Sequence, residues 1–148
     1  MKIEINVDDK IEETSISISC KGLTPELQKM IAMMRILDKK FAVMRDGETF
    51  LLDVSEIIYI EAIDRKTFVY TKVGVYESGL RLYELEQQLE ECGFCRVSKS
   101  CLVQLRAVRS LKSDINRRIR VTLDNGEVII ASRQYADEIK KKLGIVKQ

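Results

Sequence analysis

Three clusters of polar side chains in the second half of the chain have the types and spacing to hold phosphates or to read base edges. Ser98-Lys99-Ser100 forms a polar island between apolar Phe94 and Val97 on one side and Cys101, Leu102 and Val103 on the other. A serine hydroxyl both donates and accepts, and a lysine adds a point charge with three donors. Arg117, Arg118 and Arg120 come before a tight-turn signal, Asp124-Asn125-Gly126, and Ser132-Arg133-Gln134 comes after it. Arginine can fork onto guanine and glutamine onto adenine, while lysine and arginine also neutralise phosphate.

Other chemistries are poorly supplied. The chain has no histidine, which removes the commonest general base, the commonest metal ligand and every Ser–His or Cys–His nucleophile. No Gly-rich phosphate loop is present. Cys92-Gly93-Phe94-Cys95 has the C-x-x-C spacing, but it follows a helical stretch and leads into an expected strand. A thiolate gains from a helix N-terminus, and this is the opposite end. A zinc site would need a second close pair, whereas Cys20 and Cys101 are isolated. The expectation is four reduced thiols, no metal, no cofactor and no enzyme.

Charge separates the chain into two parts. Residues 1–93 hold 12 Lys/Arg against 18 Asp/Glu, a net of −6, and residues 94–148 hold 13 against 5, a net of +8. A basic half points to a polyanionic partner, or to a basic rim that receives an acidic protein. With 148 residues and 45% hydrophobic content, one ordinary domain with a small attachment is expected. No apolar run approaches the ~18 residues that span a bilayer, and the start carries acids, so a cytoplasmic location is expected.

The polar clusters need a scaffold, and the periodicity supplies one. Residues 2–7 and 15–20 alternate apolar and polar, with Ile3, Ile5 and Val7 and then Ile16, Ile18 and Cys20 on one side, so both read as strands. Thr24-Pro25-Glu26 opens a helix, with Leu27, Met30, Ile31, Met34 and Leu37 at helical spacing as a core stripe. Residues 1–41 therefore read as a strand–strand–helix extension, a candidate for dimerisation or inhibitor binding. From Phe41 onward short strands and turn signals dominate. A helix carries Leu82, Leu85 and Leu89, and a second helix spans 134–143 with Lys140, Lys141 and Lys142 in its last turns, where cations suit the dipole. The expected class is mainly β, α+β overall, with short antiparallel strands over 42–148.

The order of these signals resembles the LytTR DNA-binding domain family. The matching pieces run from Asp53-Val54-Ser55-Glu56-Ile57-Ile58-Tyr59-Ile60-Glu61-Ala62 through Leu80-Arg81-Leu82-Tyr83-Glu84-Leu85-Glu86 and Phe94-Cys95-Arg96-Val97-Ser98-Lys99-Ser100. They continue with Val108-Arg109-Ser110-Leu111, the Asp124-Asn125-Gly126 turn and Ser132-Arg133-Gln134-Tyr135. The resemblance covers about residues 42–144. It implies that loops, not a recognition helix, enter successive major grooves of double-stranded DNA and bend it.

Carried over by motif, the first contact loop is Asp64-Arg65-Lys66-Thr67, the second is Ser98-Lys99-Ser100, and the third joins Arg117-Arg118 to Ser132-Arg133-Gln134. Ser98, Gln104 and Gln134 stand where the family often has histidine, asparagine and arginine, so the target sequence does not transfer. Residues 1–41 are too short for the receiver domain that precedes many members. The layout looks more like the small stand-alone regulators, some of which a small membrane-bound inhibitor protein restrains. A homodimer is expected because one domain offers few base contacts.

Overall fold

The computed structural model describes residues 1–145, apart from the side chains of residues 36–38. Leu37 of the expected helical stripe and residues 146–148 of the expected domain lie outside the described residues. Ten strands and three α-helices follow one another as α1 (Pro25–Asp38), β1 (Lys40–Arg45), β2 (Glu48–Asp53), β3 (Ile57–Ile63), β4 (Lys66–Thr71), β5 (Val75–Ser78), α2 (Leu82–Leu89), β6 (Phe94–Ser98), β7 (Cys101–Gln104), β8 (Val108–Ser113), β9 (Ile119–Leu123), β10 (Val128–Ala131) and α3 (Arg133–Lys142). Mainly β with a minority of helix is the class expected above.

Seven strands make one sheet in the order β2-β1-β5-β4-β3-β7-β6, and β10-β9-β8 make a second. Every pairing is antiparallel. Side chains alternate across a strand, so the large sheet has two faces and each builds a core. On the first face Val43, Ile60, Val69 and Leu102 pack beneath Leu82, Leu85 and Leu89 of α2. The i, i+3, i+7 spacing of those leucines puts them on one stripe, and burying each contributes roughly 1.5–3 kcal/mol. On the second face Tyr59, Cys95, Val97 and Val103 meet Val121 and Leu123 of the small sheet and Ile139 of α3.

Cys92 belongs to the first core and Cys95 to the second. Gly93 between them is left-handed at φ 84°, a conformation glycine adopts without steric cost. The C-x-x-C pair is thus divided between opposite faces. Burial pushes the Cys92 thiol up, the Cys95 thiol up to about 11 and the Cys101 thiol up to about 12.

The first 24 residues depart from expectation. Residues 2–7 and 15–20 form no strands, and every residue from 1 to 24 is exposed. A strand needs a neighbour to take its backbone N–H and C=O groups, and among the described residues no strand pairs with these segments. The helix expected after them does form, with Thr24 Oγ1 accepting from the Leu27 N–H at 3.2 Å. Its expected core stripe is only half covered. Leu27, Ile31 and Met34 are partly buried and Met30 is exposed, because α1 rests on one end of the sheet rather than across it.

Candidate nucleic-acid interface

Three turns and one helix start converge at one end of the molecule. The β3–β4 hairpin turns at Asp64 and Arg65, both left-handed at φ 50° and 68°, and Ile63 pairs with Lys66. This is the backbone twist that closes a two-residue hairpin, and Asp64 and Arg65 adopt it without glycine. Just before the start of β7, the Ala62 N–H donates to the Ser100 carbonyl at 2.8 Å. That bond sets the β6–β7 turn beside the β3–β4 turn. On its other side the Ser132 N–H donates to the Val97 carbonyl at 2.9 Å, which brings the start of α3 against β6. Ala131 pairs with Ile119, so Arg118 lies next to Ser132.

The middle turn is held from within. The β6–β7 ladder shifts register between Arg96 and Ser98, so Ser98 pairs with Cys101 and Lys99-Ser100 becomes the two-residue loop. Bulges of this kind re-aim a side chain at the end of a strand. Ser98 Oγ accepts from the Ser100 N–H at 3.2 Å and lies 3.5 Å from Ser100 Oγ. Arg96 Nη1 donates to the Lys99 carbonyl at 2.7 Å, and Nη2 donates to Glu86 Oε1 on α2 at 3.0 Å. Lys99 itself is exposed. Arg96 and Glu86 were absent from the expected site. Their signal is an arginine in an apolar strand, which needs a carboxylate and here takes one from the polar side of α2.

The third surface is a cleft of about 680 Å³ between the loop before β9 and the first turns of α3. Arg117, Arg118, Arg133, Gln134 and Lys140 line it with Asp114 and Asp137. Asn116 and Arg117 are left-handed at φ 58° and 63°. Asp114 fixes that loop: its Oδ1 accepts from the Ile115 N–H at 2.8 Å, and its own N–H donates to the Arg118 carbonyl at 2.9 Å. Arg120 is drawn to Asp114 at 3.6 Å. Lys140 is an addition to the expected residues. Its spacing from Arg133 and Asp137, seven and three positions, puts all three on one helix face.

Two expected contact residues are placed differently. Thr67 is only 5% exposed, lies within β4 and pairs with Ala62 and Ser78, so its hydroxyl faces into the protein. The alternation of a strand entering the sheet dictates this, since Lys66 points out. Ser132 is half-buried and acts through its backbone, its carbonyl accepting from the Tyr135 and Ala136 N–H groups at 2.9 Å while Oγ has no partner. Arg65, Lys66, Lys99, Ser100, Arg117, Arg118, Arg133 and Gln134 are exposed, and Ser98 is half-buried.

Two of the cations near this end are held in ion pairs. Arg96 and Arg120 each have a carboxylate partner. Among the described residues, Arg65, Lys66, Lys99, Arg117, Arg118 and Arg133 form no ion pair. Together with the positive end of the α3 dipole they make a row of uncompensated charge suited to a polyanion.

Comparison with known proteins agrees with the geometry. Residues 47–144 match the family model described as the LytTr DNA-binding domain. An uncharacterised HTH-type transcriptional regulator of Staphylococcus aureus strain MSSA476 is 31% identical over 147 residues, covering 98% of this chain and 99% of the relative. Its counterpart in strain NCTC 8325 is 30% identical over the same length and coverage. Among solved structures, a LytTr DNA-binding domain from Bacillus cereus superposes with a TM-score of 0.68 at 25% identity, covering 72% of this chain and 98% of that one. Helix–turn–helix is the label those relatives carry. In this chain strands separate α1, α2 and α3 from one another.

Proposed function

This chain belongs to the LytTR DNA-binding domain family, and from that premise we propose that it is a cytoplasmic, sequence-specific regulator of transcription that reads double-stranded DNA through loops. The observation that carries the reading is the gathering of six exposed cations, Arg65, Lys66, Lys99, Arg117, Arg118 and Arg133, on three turns and one helix start at one end of the molecule. Three stations enter successive major grooves on one face of the duplex. Arg65 and Lys66 form the first, Ser98-Lys99-Ser100 the second, and Arg117, Arg118, Arg133 and Gln134 the third. Lysine and arginine set affinity through phosphates, while Gln134 and the serine–lysine island discriminate bases. The functional unit is a homodimer, which doubles the base contacts of a small domain.

The role of the scaffold follows from rigidity. Base readout requires side chains held to within fractions of an ångström, and each station is pinned at its base by main-chain bonds rather than left as a free loop. Selection of tight binders from random duplexes, followed by titration against scrambled controls, tests the reading. A preferred sequence is expected, with affinity falling steeply as salt rises. Equal affinity for every duplex would overturn it.

A further inference from the structure

Two unfinished apolar surfaces lie on every copy of the chain. The first is the arm of residues 1–24. Ile3, Ile5, Val7, Ile16 and Ile18 recur at period two and are 39% to 90% exposed, although the pattern is that of strands with one covered face.

The second surface is on the large sheet. The small sheet and α3 roof the second face over β3, β7 and β6, with Tyr70 of β4 at the margin of that core. Over β5, β1 and β2 the same face is open. Register puts Leu51 opposite Ala42, and Met44 opposite Glu77, with Val75 two residues before Glu77. Leu51, Met44 and Val75 therefore share one face, at 69%, 45% and 45% exposure. β2 ends the sheet, so its outer backbone groups have no ladder partner. An open edge beside an apolar face is a template for an added strand.

We infer that the arm of one copy docks as strand on the β2 edge and the Ala42–Met44–Leu51 face of a second copy, and receives that copy's arm in return. This deepens the dimer reading above and rests on it for its role, though not for its geometry. Each chain carries both the strand and the template, so a twofold pair satisfies both at once. Residues 1–20, fully extended, reach about 65 Å, ample to cross to a neighbour. Residues 1–13 carry five carboxylates against two lysines, so the arm is repelled by DNA and not drawn to the cation row.

Sedimentation of the full chain without DNA tests this. Wild type should run as a dimer that dissociates on dilution. Ile5→Glu/Ile18→Glu and, separately, Leu51→Glu should each raise the dimer dissociation constant at least tenfold. Tyr83→Glu, exposed on α2 over the opposite face, should leave it unchanged. Ile5 and Ile18 lie outside both buried cores, so the arm variant should keep the wild-type circular dichroism and unfolding midpoint. Trypsin should spare Lys10 and Lys21 in the dimer and cut there on dilution. A wild-type monomer at all concentrations, an arm open to trypsin in the dimer, or Leu51→Glu with wild-type association would overturn the inference. Binding to a single half-site by the monomeric variants separates the two readings. If specificity fails while association persists, the DNA reading alone falls.

Discussion

Arg96 donates from Nη1 to the main-chain carbonyl of Lys99 at 2.7 Å, and the same guanidinium reaches Glu86 on α2. The turn that presents Lys99 is thereby tied to the helix on the opposite face of the sheet. Replacing Arg96 by methionine should destabilise the fold by about 1–2 kcal/mol, since charge-assisted bonds are lost and Glu86 is only partly exposed. It should also weaken specific DNA binding while leaving the salt dependence intact, because Arg96 neutralises no phosphate. Urea unfolding and salt titrations of the same preparation check both halves. A shallower salt slope would move Arg96 into the contact set.

Lys99→Ala removes an exposed cation whose backbone is held by others, so its unfolding midpoint should match wild type. Specific binding should fall by roughly 1–3 kcal/mol, the size of a lost direct contact. Unchanged affinity in the folded variant would remove Lys99 from the interface.

Arg65 occupies a left-handed position at φ 68° that glycine prefers. Arg65→Gly should therefore leave stability unchanged or raise it by up to about 1 kcal/mol, relief of backbone strain opposing the greater entropy of the unfolded chain. DNA affinity should nonetheless drop. Thermal unfolding together with a binding titration checks this, and a loss of stability parallel to the loss of binding would contradict it.

Arg118 and Gln134 line one cleft but should respond differently. If about four cations per protomer neutralise phosphates, the log–log salt slope lies near −3 to −4 per protomer. Arg118→Ala should make it shallower by about one unit with base preference nearly kept. Gln134→Ala should leave the slope and relax preference at one base pair. Titrations at several salt concentrations against target and scrambled duplexes distinguish them. A relaxed preference in Arg118→Ala would reverse the assignment.

Burial raises the Cys101 thiol from its ordinary 9.0 to about 12 and the Cys95 thiol to about 11. The unfolded chain loses these protons first, so their contribution to stability is complete below about pH 9 and is lost as pH climbs through 11 and 12. Tyr59 and Tyr70, also raised by burial, add to the decline above pH 10. Unfolding midpoints should fall between pH 8 and 10.5, and less steeply in Cys101→Ala. Identical slopes for the two proteins would exclude the thiol as a source.

The sequence by itself determined the mainly β class, the turn positions and most of the surface cations. Those features are local: Asp124-Asn125-Gly126 makes a turn whatever surrounds it, and Leu82, Leu85 and Leu89 share a helix face by spacing alone. The burial of Thr67 and the half-burial of Ser132 were not legible, because which side of a strand faces inward depends on register with β3, β5 and β6, which no local pattern states. Arg96 stands out in an apolar strand, but its pairing with Glu86 was not legible for a related reason, the two being ten residues apart on different elements. The alternation in residues 2–7 and 15–20 was legible, yet no strand formed. Periodicity specifies which side of a segment is apolar, but only a neighbouring backbone can close the hydrogen bonds that make it a strand, and the tertiary structure of one chain provides none there.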